Sequence, residues 1–466
     1  MSQKTPIKWF GRALALALIP ILLTGCIGRK SSSSQSSGIA GQTEPVTLKI
    51  WRTFDSAEVF EPIIEEFERD NPAITLEYTL MSASEFELTT AEALAAGEGP
   101  DIWSIRNDWL PRHKNKLVPM PNGLLGKNSN QTDEDALKAL FAPVVTQDVV
   151  YDGSIYGLPY YVDTLGIWKN TAVFNKKISE LEDVDRDEEA DLLRDPLNTY
   201  DKLQRAVELL TEKNPDGSIS VSGLAAGTAN NISRAEDVVY ALMLQNGAEM
   251  VSPEHTNASF HLGVKNAVGQ TVFKGTEALE RFTGFADPAK SYYSWNTSMP
   301  GDVQAFIEGK AAMIFGFQYY ELIFNQLAPT LKYSSIPLPQ VRDIDTPVDY
   351  ASYYIETVTK NTKNPTLAWE VLKNLVIERG NPYRSATKRP DPKPEEEPPT
   401  VLDRGESGNP FAYQQQTAKS WYKTKRPDKV DTIFRDLIQR VGTKSQAPQN
   451  AIEEAAQKIS AILQGE

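Results

Sequence analysis

Residues 46–105 constrain the fold most, because their apolar pattern switches period four times in sixty positions. Val46-Thr47-Leu48-Lys49-Ile50-Trp51 alternates as a strand. Ser56 then stands as an N-cap, Pro62 falls in an early helical turn, and Ile63, Ile64 and Phe67 share one helical face before Asn71-Pro72 stops it. Ile74–Tyr78 reads as a second strand, Glu85–Ala96 as a second helix, and Asp101–Ile105 as a third strand behind Gly97-Glu98-Gly99-Pro100. A β-α-β-α-β order predicts an α/β sheet with crossover helices.

The style continues along the chain. Gly157–Trp168 is a strand-rich segment, and helices are expected at 200–212 and 234–246. Gln304–Gly316 reads as a helix, a turn at Gly309 and the strand 311–315. Tyr350–Thr359 is β-rich, Pro365–Ile377 is an amphipathic helix, and further helices are expected at 409–422, 428–441 and 448–464. The Pro- and Glu-rich stretch 386–399 reads as a solvated surface loop. A length of 466 residues favours two or three folded units over one.

The N-terminus has its own logic. Lys4, Lys8 and Arg12 precede an apolar run, residues 13–23, that is shorter than the roughly 20 residues a helix needs to span a bilayer. This is the pattern of a secretory signal, expected over residues 1–25. Leu23-Thr24-Gly25-Cys26 resembles the lipobox of bacterial lipoproteins, which implies cleavage before Cys26 and acylation of that cysteine. Residues 26–45, rich in serine and poor in apolar side chains, then form a lipidated flexible tether.

Composition removes several chemistries. Cys26 is the sole cysteine, so no disulfide framework, CxxC pair or Cys-rich zinc site can form. With 62 acidic against 48 basic residues, the chain repels a polyanion, and no nucleic acid partner is expected. No GxSxG, HExxH, GxxxxGK[ST] or GxGxxG motif is present, and His113, His255 and His261 all have polar or charged neighbours and read as surface residues. Asp183, Asp185 and Asp187 match the first ligand positions of a calcium loop, but Glu188 stands where Gly is needed and Arg194 where the bidentate Glu belongs. No metal and no cofactor are expected.

What remains is a series of aromatic and acidic residues at strand ends: Trp51 and Asp55; Trp103, Asp108 and Trp109; Tyr160, Tyr161 and Asp163; Trp295; Phe317, Tyr319 and Tyr320. Ligands of open α/β sheets bind at the carboxyl ends of strands, so these side chains can face one cleft. Sugars suit that lining, since their C–H faces stack on rings while carboxylates accept from hydroxyls.

Leu48–Trp51, Gly99–Trp103, Tyr156–Leu165, Phe306–Met313 and Lys363-Asn364-Pro365 before Ala368-Trp369, in this order behind a lipobox, resemble the extracellular solute-binding proteins of carbohydrate-type ABC importers, the maltose-binding-protein-like group. The resemblance implies a periplasmic-binding-protein-like fold: two α/β lobes joined by two or three crossing segments, with ligand between them. By analogy, lobe 1 comprises 46–160 and 351–385, and lobe 2 comprises 165–348 and 400–466. It implies sugar contacts at Trp51, Asp55, Asp108, Asp163, Phe317 and Tyr319, with Tyr161, Trp295, Tyr353 and Trp421 as further candidates. The chain departs from the family at Gly316-Phe317-Gln318-Tyr319, where many relatives have Gly-Pro-Trp. The implied protein is a monomer outside the cell membrane, anchored through Cys26. It captures a sugar and passes it to a separate transmembrane permease without covalent chemistry. A cell-surface glycoside-active enzyme or an adhesive lipoprotein are the alternatives.

Overall fold

The computed structural model describes residue 39 and residues 42–126, 131–341, 346–393 and 408–465. The expected signal, Cys26 and most of the tether lie outside the described residues. Among the described residues, no helix is long and apolar enough to cross a membrane.

The first sheet is built as its sequence alternates. β1 (Val46–Thr53), α1 (Ala57–Asp70), β2 (Ile74–Met81), α2 (Phe86–Ala96) and β3 (Ile102–Arg106) follow in order. β1 lies between β2 and β3 and runs parallel to both, with Val46 opposite Ile74 and Ile50 opposite Ile102. Leu48 and Ile50 point to the buried face while Thr47 and Lys49 are exposed. Phe60, Ile63 and Phe67 bury one stripe of α1. Ser56 holds the cap position with no capping hydrogen bond; its hydroxyl donates to Glu58 instead, at 3.1 Å.

The second sheet is antiparallel. β4 (Gly166–Asn170) is its centre, flanked by β5 (Met313–Gly316) and β6 (Tyr333–Ile336). Residues 222–225 extend the β5 edge through parallel bridges to Ala311 and Ile314. β7 (Tyr354–Val358) returns to the first sheet, antiparallel to β3 with Tyr354 opposite Arg106.

Two hydrophobic cores result. One draws on residues 48–162, 351–383 and Ala418; the other on 165–350, Phe411 and 421–463. Besides the stretches between Tyr383 and Phe411 and between Phe411 and Ala418, the chain passes between them at Val162–Leu165, at Tyr350–Ala351 and at Ala418–Trp421. These passages lie side by side, with Thr164 bridged to Ala351 and Asp349-Tyr350 paired with Ala418-Lys419. Gln414 Nε2 donates to Thr164 Oγ1 at 2.9 Å, and Gln415 Nε2 donates to the Val162 carbonyl at 2.7 Å. Three adjacent passages tied by side-chain amides form a hinge.

Three expectations change. The helix expected at 409–422 is only Pro410–Tyr413 with a 3-10 turn, because residues 418–419 are drawn into the hinge ladder. The start of the surface loop expected at 386–399 is an inner strap: Thr387, Arg389, Pro390 and Pro392 are buried, and the Pro392 carbonyl accepts from Ala142 N–H at 2.8 Å. His113 is buried rather than on the surface, its ring 4.7 Å from that of Trp103 and its Nε2 2.7 Å from Glu87 Oε1.

Candidate functional site

The two lobes meet around a lattice of four charges. Asp108, just past β3, accepts from Arg106 and from Lys423 Nζ at 3.2 Å. Asp431, on α3 (Pro427–Gly442) of the second lobe, accepts from Arg106 Nη2 and Lys423 Nζ, both at 3.2 Å, and from Tyr240 OH at 2.9 Å. Arg112 adds a second crossing, with Nη2 2.8 Å from Asp428. Burial alone would raise the Asp108 carboxyl, but Arg106 and Lys423 outweigh it and hold it at about 2. Asp108 is therefore a fixed anion in the seam.

Aromatic faces surround this lattice. From lobe 1, Tyr354 lies edge-on to Trp109 at 6.2 Å and to Phe54 at 5.5 Å. From lobe 2, Phe317 and Tyr319 are near-parallel at 6.2 Å, and the Arg234 guanidinium covers them at 4.8 and 5.9 Å. Burial pushes the Tyr354 hydroxyl up to about 12, within the fields of Arg106 and Asp108 from its own lobe and Arg234 and Tyr319 from the other. Phe54 has φ +75° and is 60% exposed, an unfavourable backbone and an exposed ring held at the strand's carboxyl end.

Asp163 stands in the first hinge passage. Its two oxygens accept from Gln318 N–H at 2.9 Å and Tyr319 N–H at 3.2 Å, so the hinge fixes the turn that presents Phe317 and Tyr319. Burial pushes this carboxyl up to about 6 despite those bonds. Asp148 is buried at the third passage, accepting from Ser420 Oγ, from Tyr353 OH at 2.7 Å and from Asn107 Nδ2 at 2.9 Å, and burial pushes it up to about 6 as well.

Between the lobes beside Asp108 and Asp148 is a cavity of about 520 Å³, lined also by Gln147, Tyr151, Trp421 and Lys423. Its size suits a small ligand. Among the described residues Trp421 Nε1 is buried with no hydrogen-bond partner, a donor for an oxygen from outside the chain. A larger hollow of about 700 Å³ is lined only by residues of the second lobe, away from every aromatic and carboxylate of the seam.

The structure thus brings Asp108, Asp163, Phe317, Tyr319 and Trp421 to the interlobe seam. Other candidates sit elsewhere. Asp55 spends its carboxylate inside lobe 1, on Arg52 at 2.9 Å, Tyr383 OH at 2.9 Å and Arg389 at 3.0 Å. Tyr161 belongs to that cluster, under the Arg389 guanidinium at 4.3 Å. Trp51 lies within β1, registered against Trp103 and half-buried against the lobe 1 core. Trp295 is fully buried in lobe 2 and donates to Asn231 at 3.1 Å. Tyr353 is buried and occupied by Asp148, while its neighbour Tyr354, on the other face of the strand, reaches the seam. Arg106, Arg234, Lys423 and Asp431 carried no sequence signal, since single charges in a charged chain read as solvated surface.

The raised carboxyls set a pH dependence. Asp148 and Asp163 hold protons to higher pH folded than unfolded, so the folded state binds more protons between about pH 4 and 6. Their stabilising effect is complete below that window and is lost as pH rises through about 6. Asp108 acts oppositely, but only below about pH 4. Urea unfolding at pH 4.5 and 7.5 is expected to show Asp148→Asn shrinking the fall between the two by on the order of 1–3 kcal/mol; an undiminished fall would rule out Asp148 as its source.

Comparison with known proteins agrees with this architecture. Residues 54–380 match the family described as bacterial extracellular solute-binding protein. The chain is 23% identical to the maltodextrin-binding protein of Bacillus subtilis over 88% of each chain. It is 25% identical to the maltotriose-binding protein of Pyrococcus abyssi over 35% of its own length, a match spanning 31% of that protein. The cyclic alpha-maltosyl-1,6-maltose binding protein of Arthrobacter globiformis superposes with a TM-score of 0.69 at 16% identity, covering 91% of this chain and all of that one. With the two cores, the hinge and a profile match over most of its length, this chain belongs to the bacterial extracellular solute-binding protein family.

Proposed function

We propose that the protein is an extracytoplasmic receptor, tethered to the membrane through Cys26, that captures a sugar or oligosaccharide between its lobes and delivers it to the permease of an ABC importer. The observation that carries this reading is the interlobe cavity, where carboxylates, amides and rings converge beside an indole N–H that has no partner among the described residues. Neutral polyhydroxylated ligands need that mixture: rings for their C–H faces, acceptors and donors for their hydroxyls. Relatives named for maltodextrin and maltotriose make linear maltodextrins the first ligands to try. The reading assigns the site no covalent chemistry.

A thermal-shift screen against mono- and oligosaccharides tests it. A ligand at 100 times its Kd adds about 2.7 kcal/mol and a visible rise in Tm. Tyr319→Ala, which removes a half-buried ring from the seam, is expected to weaken the identified sugar more than tenfold while shifting apo stability by under about 1.5 kcal/mol. Release of reducing ends during the titration would favour the enzyme reading instead, and no stabilisation by any sugar would remove the receptor reading.

A further inference from the structure

Lobe 2 projects a hairpin whose surface differs from the rest of the molecule. Val264-Lys265 and Thr271-Val272 pair antiparallel, with Val264 opposite Val272. The turn between them is tightly built: Asn266 N–H donates to the Gln270 carbonyl at 2.9 Å, Gly269 N–H to the Asn266 carbonyl at 2.9 Å, and Asn266 Oδ1 accepts from Val268 N–H at 3.1 Å. Gly269, at φ +79°, closes it. This fixes Val268 at the apex, 77% exposed, with Leu262 at 53% and Val264 and Phe273 each at 38%. Four of the ten large apolar side chains exposed among the described residues therefore fall between Leu262 and Phe273, too many for scattered surface residues.

The charge of this element is also distinct. In a chain with 62 acidic residues, positions 255–276 contain none. They do contain Lys265 and Lys274, whose ammonium groups donate to Thr271 Oγ1 and the Gly247 carbonyl and are in no ion pair among the described residues. Glu453 lies near His261 on the adjoining C-terminal helix, at the base of the hairpin rather than its apex.

We propose that this hairpin is a membrane-contacting tip that seats Val268 and Leu262 in the interface of an anionic phospholipid bilayer, with Lys265 and Lys274 against the headgroups. A convex apolar apex flanked by uncompensated lysines complements a surface that is anionic outside and apolar beneath. The net negative charge of the whole chain does not prevent this, because screening over about 8 Å leaves the local lysines in control at the tip. The contact would orient lobe 2 on the membrane and is independent of the sugar reading.

Residues 38–466 form one compact unit that holds both hydrophobic cores of the described residues, so they can be tested without the expected signal or the lipid on Cys26. They are expected to float with vesicles of phosphatidylglycerol and phosphatidylcholine and to stay behind with phosphatidylcholine alone. Val268→Asp should cut the vesicle partition coefficient at least tenfold and Lys265→Glu about fivefold or more, with Tm and sugar binding unchanged. No flotation, or flotation indifferent to both substitutions, would overturn the proposal. So would concentration-dependent dimerisation in sedimentation that Val268→Asp abolishes, since the occupant would then be a second copy of the chain.

Discussion

Asp163→Ala is expected to cost the folded protein about 3 kcal/mol and to weaken the captured sugar more than tenfold. The carboxylate is 1% exposed in the first hinge passage and accepts both the Gln318 and Tyr319 amides. Truncation leaves two buried N–H donors unpaired, at about 1–3 kcal/mol each. Relief of a buried carboxyl that titrates near about 6 returns part of that. The same bonds hold the turn bearing Phe317 and Tyr319, so the aromatic face of the second lobe loses its fixed position relative to the hinge. Asp163→Asn, with one acceptor oxygen, should recover part of both losses. Urea unfolding and calorimetric titration measure the two effects; affinity lost with stability intact would mean that Asp163 meets the ligand directly and does not brace the turn.

Why some of this was legible in the sequence and some was not follows from how each residue is held. The β-α-β-α-β order was legible because each element buries an apolar set with its own period, as Leu48 and Ile50 do in β1 and Phe60, Ile63 and Phe67 in α1. The strand-end acids Asp108 and Asp163 were legible by place in the chain. Their partners were not: Asp108 meets Lys423 and Asp163 meets Gln318, pairings between residues far apart in sequence that only the closed fold creates. Tyr353 and Tyr354 show the limit most clearly. Adjacent residues of an extended segment point to opposite sides, so one position separates a side chain locked on Asp148 from one in the seam. The helix expected at 409–422 failed because ladder pairing with Asp349-Tyr350 overrides local helical pattern.

Arg52 was the least legible residue of all, a cation just past the expected first strand that lies within β1 and is 1% exposed. Its guanidinium bonds Glu356 and, at 2.9 Å, Asp55, and it lies 4.7 Å from the Phe60 ring, 5.1 Å from Tyr160 and 5.4 Å from Tyr383. Arg52→Ala is expected to destabilise the protein by about 3–5 kcal/mol, because it strands buried carboxylates as well as opening space. The two are not stranded equally. Among the described residues, Asp55 keeps Arg389 at 3.0 Å, whereas Glu356 keeps only the Ser104 hydroxyl at 3.1 Å, and its Oε2 already has no partner. Burial raises the Glu356 carboxyl even beside Arg52, so without that cation it should take up a proton at still higher pH. Two results follow. The deficit of Arg52→Met, which restores much of the lost volume, should shrink as pH falls from 8 to 5. Combining Arg52→Met with Glu356→Gln should recover roughly 1–3 kcal/mol relative to the sum of the single changes. Strict additivity in that double-mutant cycle would show that Arg52 acts through its contacts with the rings and not through the buried charge pair.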